Sequence, residues 1–140
     1  MIRRIACLVT IGLIFSAITA LATDSKKEAA ALSAAEQWLT MVDSGKYAES
    51  WKKAAEFFRN AVQPQQWEQS MQTAREPLGN LISRKVKTKA YKSSLPGAPD
   101  GEYVVIQFES SFEKKKVAVE TVTPMMGKDG IWRVSGYYIK

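Results

Sequence analysis

Arg84 and Glu120 are charged residues standing where an alternating strand pattern calls for apolar ones. Arg84 interrupts the set Ile82, Val86, Thr88 and Ala90, and Glu120 falls between Ala118 and Val122. If those faces look inward, both charges are buried, and buried ions must be paired because desolvation costs several kcal/mol each. Two chemistries fit. In one, Arg84 binds an anionic group in a pocket and Glu120 orients it. In the other, the two form an ion pair that fixes strand register. Arg75, just before Pro77 at a helix end, is suited to bonding that helix's unpaired carbonyls, with ligand binding as the alternative. Trp132 alternates with Ile131 and Arg133 and is the best candidate for a partly exposed, ligand-facing aromatic. Trp38, Trp51 and Trp67 fall on apolar helical stripes and read as core.

Lys85, Lys87 and Lys89 line one strand face, with Lys92 beyond and Lys114 to Lys116 near. Such a stripe suits an acidic partner, or serves only to keep an edge strand from pairing with another chain. Other chemistries are closed off. The chain has no histidine, and its single cysteine is Cys7. A Ser-His-Asp or Cys-His nucleophile cannot be assembled, nor a zinc site of His and Cys ligands. Asp43, Asp100 and Asp129 lie in separate turns, so no metal site is expected, and no cofactor motif is present. An enzyme would have to use Glu120 as a general base raised by burial. The balance favours a non-catalytic module that binds a small ligand or peptide between the sheet and the helices, with an envelope interaction protein acting through its basic surface as the alternative.

These residues need elements to position them. Leu32, Ala35, Leu39 and Val42 recur at helical spacing, and Asp43-Ser44-Gly45 ends that run. A second helix is expected to carry Tyr47, Trp51, Ala54, Ala55, Phe58 and Val62 on one stripe. A third opens at Pro64 with Trp67, Met71, Ala74 and Leu78, and stops at Pro77 and Gly79. Beyond Gly79 the period becomes two, giving strands near 82–91, 102–112, 117–123 and 131–139. Leu95-Pro-Gly-Ala-Pro-Asp-Gly101 leads from strand to strand, not from strand to helix, so it reads as a hairpin connection and not a phosphate loop. The expected fold is α+β, with three N-terminal helices packed on one face of a curved four-stranded antiparallel sheet.

The chain opens with Arg3-Arg4, an apolar stretch from Ile5 to Leu21, and small residues at Ala20 and Ala22. That is the layout of a secretory signal peptide over residues 1–22, leaving 23–140 as one domain. Losing Arg3 and Arg4 takes the formal charge from +6 to +4. Export, most simply to a periplasm and alternatively to the medium, makes nucleic acid an unlikely partner and leaves an unknown small molecule or an envelope protein.

Longer motifs carry a resemblance. They are Trp67 with Arg75 and Pro77-Leu78-Gly79, then Ser83-Arg84, the stretch LPGAPDGEY at 95–103, ETVT at 120–123, and DGIWRVSGYY at 129–138. Together they resemble the bacterial domain-of-unknown-function family 4019, over nearly the whole mature chain. The resemblance implies a small exported protein without assigned activity or established site residues. The helices-then-sheet order is also similar to cystatin-like and nuclear-transport-factor-2-like folds, which enclose a pocket between sheet and helix. That likeness is at the level of fold and does not specify a function.

Overall fold

The computed structural model describes residues 14–140. Residues 1–13, which hold much of the expected signal segment, lie outside them. Four helices precede four strands: α1 Ile14–Asp43, α2 Tyr47–Lys53, α3 Glu56–Ala61 and α4 Pro64–Arg75, then β1 Leu81–Lys92, β2 Tyr103–Phe112, β3 Lys115–Met126 and β4 Trp132–Ile139. A single 3₁₀ turn, Glu76–Leu78, joins α4 to β1. The strands form an antiparallel meander in the order β1-β2-β3-β4. The expected α+β class and the helices-then-sheet order are what the structure has.

The expected second helix is two helices. Ala54 and Ala55 adopt extended backbone between α2 and α3. The Ala55 N–H donates to the Val134 carbonyl at 2.8 Å. The chain thus spends two residues docking on the margin of β4, and the small side chains let it approach closely. Apolar periodicity could not reveal this, because Ala54 and Ala55 are buried in either conformation.

One core lies between helices and sheet. α1 contributes Ala31, Ala35, Trp38, Leu39 and Val42, and the sheet answers with Val104, Ile106, Phe108, Val122 and Val134. Three indole N–H groups are satisfied inside the helical layer. Trp38 donates to the Ser50 carbonyl, Trp67 to the Ser50 hydroxyl, and Trp51 to the Val62 carbonyl. The core assignment holds for Trp38 and Trp67, and Trp51 is partly buried against that core. The 95–101 stretch is a hairpin connection, closed by Gly101 N–H to the Ser93 carbonyl at 3.2 Å, and Tyr103 donates back to the Pro99 carbonyl at 2.6 Å.

Strand alternation is broken in four places, one of them between β2 and β3 at Ser110/Phe112. The β1–β2 register shifts between Leu81 and Ser83 and again between Val86 and Thr88. The first shift leaves Ile82 exposed. The second returns Tyr91, opposite Val104, to the helix-facing side. The β3–β4 register shifts at Thr123/Pro124, where Pro124 cannot donate to a ladder. That bulge sets both Val134 and Tyr137 toward the helices.

Gly79 closes the 3₁₀ turn at φ 73 and ψ −161, a conformation other residues adopt only with strain. A Cβ there would meet the Glu113 Cβ at 3.0 Å. Gly45 has the same φ of 73, but a Cβ there meets nothing within 4 Å. Gly79→Ala is therefore expected to cost about 1–3 kcal/mol and Gly45→Ala less, measured by urea unfolding of each variant. Equal losses would remove the role given to the Glu113 contact.

Candidate functional site

The charged residues meet beneath the helices. Arg84 stands on β1 opposite Ser110, and Glu120 stands on β3 opposite Phe108. The guanidinium crosses β2 diagonally over Ser110, whose small side chain leaves the passage open. Arg84 Nε donates to Glu120 Oε1 at 2.8 Å, and the Ser110 hydroxyl donates to the same oxygen at 2.5 Å. The Tyr137 hydroxyl donates to Glu120 Oε2 at 2.5 Å.

A second carboxylate completes the cluster. Asp43, the last residue of α1, takes a forked contact from Arg84: Nη1 to Oδ2 at 2.7 Å and Nη2 to Oδ1 at 2.9 Å. Arg75, the last residue of α4, donates to Asp43 Oδ1 at 2.7 Å, lies 3.7 Å from Glu120 Oε2, and donates to the Tyr137 hydroxyl at 3.3 Å. Its guanidinium also sits over the Phe112 ring, 4.7 Å from the centroid. Two guanidiniums thus face two carboxylates, and the cluster is electrically neutral. It is sealed unevenly: Glu120 is 0% exposed and Arg75 5%, whereas Asp43 keeps 20%. Arg75 Nε is buried without a partner.

Each ionisation state follows from these contacts. Burial pushes the Asp43 carboxyl up, but the guanidiniums of Arg84 and Arg75 outweigh it and hold the group below the usual carboxylate range. Burial works against the Arg84 charge, and the bonds to Asp43 and Glu120 overcome it, leaving its pKa raised. Burial, reinforced by the neighbouring Glu120 charge, raises the Tyr137 phenol, so it stays protonated and donates.

Arg84 and Glu120 are therefore brought together as the sequence suggested, and as an ion pair. Arg75 differs from expectation. It bonds Asp43 and Tyr137 instead of its own helix carbonyls, because α4 ends directly over the cluster. Trp132 also differs. It pairs with Met126 on the helix-facing side and is 9% exposed, part of the core and not a partly exposed aromatic. The lysines do not share a face. Lys85 lies opposite Glu109 and pairs with it at 3.1 Å, whereas the bulge sets Lys89 opposite Ile106. What Lys85, Lys87 and Lys89 share is an exposed position along the margin strand β1. Asp43, Ser110 and Tyr137 were missed. The signal available for Asp43 was charge balance, since two buried arginines need more than Glu120.

As a reaction centre the cluster is closed. Both Glu120 oxygens already accept hydrogen bonds, and a substrate would have to displace Ser110, Tyr137 or an arginine to reach them. A cleft of about 320 Å³ lies elsewhere, at the α1–α2 turn against α4, lined by Lys46, Tyr47, Glu49, Glu68 and Gln72. None of Arg75, Arg84, Glu120 or Trp132 lines it. Among the described residues, no helix is long and apolar enough to cross a membrane, and no three His, Cys, Asp or Glu side chains are grouped to hold a metal ion.

The molecule is thus an α+β domain whose helices are pinned to an open sheet by a neutral, buried ion cluster. Residues 34–137 match the family model described as "Protein of unknown function (DUF4019)", and the chain belongs to that family. No curated protein and no solved structure matches it.

Removing one partner from a buried ion cluster leaves its counter-charge stranded, so Arg84→Ala is expected to cost about 3–5 kcal/mol in urea unfolding. Acid sensitivity should trace to Asp43. Its folded pKa is depressed, so its stabilisation is complete above the unfolded value of about 3.9 and disappears as pH falls through the folded value. Asp43→Asn should lower stability at neutral pH and flatten its acid dependence. An unchanged acid-unfolding slope in that variant would contradict this assignment.

Proposed function

We propose that this chain is an exported, non-catalytic binding module that engages an acidic partner, most simply an envelope protein, along the lysine-bearing margin of β1. The observation that carries this reading is the margin itself. Lys87, Lys89 and Lys92 are exposed there, and among the described residues none of them has a salt-bridge partner. Lys85 is the exception, held by Glu109. The closed cluster supports the same reading from the other side. Arg75, Arg84 and Glu120 satisfy one another, which favours an architectural role over small-ligand capture or general-base catalysis. The likeness to cystatin-like and nuclear-transport-factor-2-like folds belongs with this proposal as an analogy only; in this chain the aromatics Trp38, Trp67 and Tyr137 pack on one another between helices and sheet.

Export rests on the first 22 residues, with cleavage after Ala22. Intact-mass measurement of the chain recovered from a periplasmic extract is expected to give a species beginning at Thr23. Recovery of full-length chain only, in the cytoplasmic fraction, would remove the exported half of the proposal.

The binding half is tested by cross-linking and capture from that compartment at rising salt. Association through exposed lysines should weaken steeply between low and physiological ionic strength, where the screening length falls to about 8 Å. Lys87→Gln/Lys89→Gln/Lys92→Gln should lose the captured partner while unfolding at the wild-type urea concentration. Capture indifferent to both salt and these substitutions would refute it.

A further inference from the structure

The sheet has two margins and treats them differently. The β4 margin is stopped by the α2–α3 link, where Ala55 N–H occupies the Val134 carbonyl. The β1 margin has no such cover. Among the described residues, the strand makes backbone hydrogen bonds within the sheet to β2 alone. Within each unbroken stretch, 83–86 and 88–92, every second residue therefore turns its N–H and C=O outward, toward a place where another strand would lie.

The margin is also held in shape. Lys27 of α1 reaches Glu102 at 2.5 Å and stands 4.9 Å above the Tyr91 ring, and Tyr91 bonds Glu102 at 3.2 Å. These contacts fix the far end of β1 against α1. Beyond the second bulge, Thr88 through Lys92 run in unbroken register with Gln107 through Tyr103. The backbone there is straight enough to template a neighbour, although the bulges limit how far pairing can extend.

Charge decides which neighbour. A second copy of β1 would set lysines against lysines, which is destabilising across strands. An acidic strand would meet the opposite charge. Apolar groups lie beside the lysines as well: Val86 is 37% exposed on the helix-facing side, and Ile82 is exposed at the first bulge. We infer that the β1 margin takes up an extended segment of a partner protein as a fifth strand, with acidic side chains on both faces of that segment and apolar ones between them. This rests on the binding role proposed above and adds its mode: backbone pairing supplies the grip, and the lysines select for acidic sequence while rejecting self-association.

The test uses the purified chain with a synthetic peptide of about ten residues, a typical strand length, built of Glu-Glu and Val-Val pairs in turn so that both faces carry glutamate. Two N-methylated versions block alternate sets of its amides. Strand addition predicts that one N-methylated version binds about tenfold more weakly or worse, while the other binds nearly as the parent does. Hydrogen exchange should slow at the β1 amides that β2 leaves unpaired. Lys87→Gln/Lys89→Gln/Lys92→Gln should weaken binding of the parent peptide. If both N-methylated peptides bind like the parent and β1 exchange is unchanged, strand addition is wrong while the charge-based binding role stands. If no acidic peptide binds and the lysine variant captures its partners normally, the binding role itself falls. Lysine-dependent binding to phosphatidylglycerol vesicles, with none to the peptide, would replace the peptide with a lipid surface.

Discussion

Two arginines held beneath the ends of α1 and α4, Arg75 buried and Arg84 nearly so, impose the constraint around which this domain is arranged. A guanidinium cannot shed its charge in a protein, so each must be met by a carboxylate, and each carboxylate must come from a different element. Asp43 ends α1, Glu120 sits mid-strand on β3, Arg75 ends α4 and Arg84 lies on β1. The cluster therefore ties two helix ends to the marginal strand and an interior strand at one point. Asp43 is placed badly by itself, since a carboxylate at a helix C-terminus opposes the helix dipole. Two guanidiniums within 2.9 Å reverse that disadvantage. Asp43 adopts its place because of the tertiary fold, not because of helix propensity.

Hydrophobic residues of the same volume would have filled this space at less desolvation cost. What they would lack is direction. The forked contact of Arg84 on Asp43 fixes the angle of α1 over β1, and the Nε bond to Glu120 fixes the offset of β1 from β3. A slip of one residue in β1 would send Arg84 to the solvent side and leave Asp43 and Glu120 facing each other. This matters most in β1, because its apolar content is low and its burial slight, so side-chain packing alone sets its register weakly.

Much of the architecture was legible because long stretches obey one period. The helical stripes and the alternation of Val104, Ile106 and Phe108 fixed element type and order. What was not legible arose where the period breaks. Tyr137 and Val134 are three apart, so strict alternation sets them on opposite faces, and only the bulge at Thr123/Pro124 brings both inward. The same mechanism split the lysine stripe and returned Tyr91 to the helix side. Pro124, directly after the expected strand 117–123, was a readable sign of the β3–β4 bulge; β1 carries no comparable marker. Trp132 misled because its neighbours Ile131 and Arg133 gave no clear polarity. Arg84 with Glu120 was legible since two misplaced charges in separate strands point to each other. Asp43 was hidden by its turn-like setting before Ser44-Gly45.

The cluster also bears on where the protein's charge lies. Its two positive and two negative groups cancel, so the chain's formal +6 resides entirely outside it. The outer charges are not evenly compensated. Lys27, Lys85 and Arg133 have carboxylate partners in Glu102, Glu109 and Asp129, whereas among the described residues Lys87, Lys89 and Lys92 along β1 have none, nor do Lys114, Lys115 and Lys116 at the β2–β3 turn or Lys26, Lys46, Lys52 and Lys53 among the helices. A domain that neutralises its interior and leaves unpaired lysines along an uncovered margin presents that margin to anything acidic that diffuses near. Backbone groups, being the same for every sequence, then hold what the charge has selected. In the proposed binding mode, specificity would come from the lysines and adhesion from the strand. The buried cluster serves both indirectly by keeping β1 at the register that exposes them.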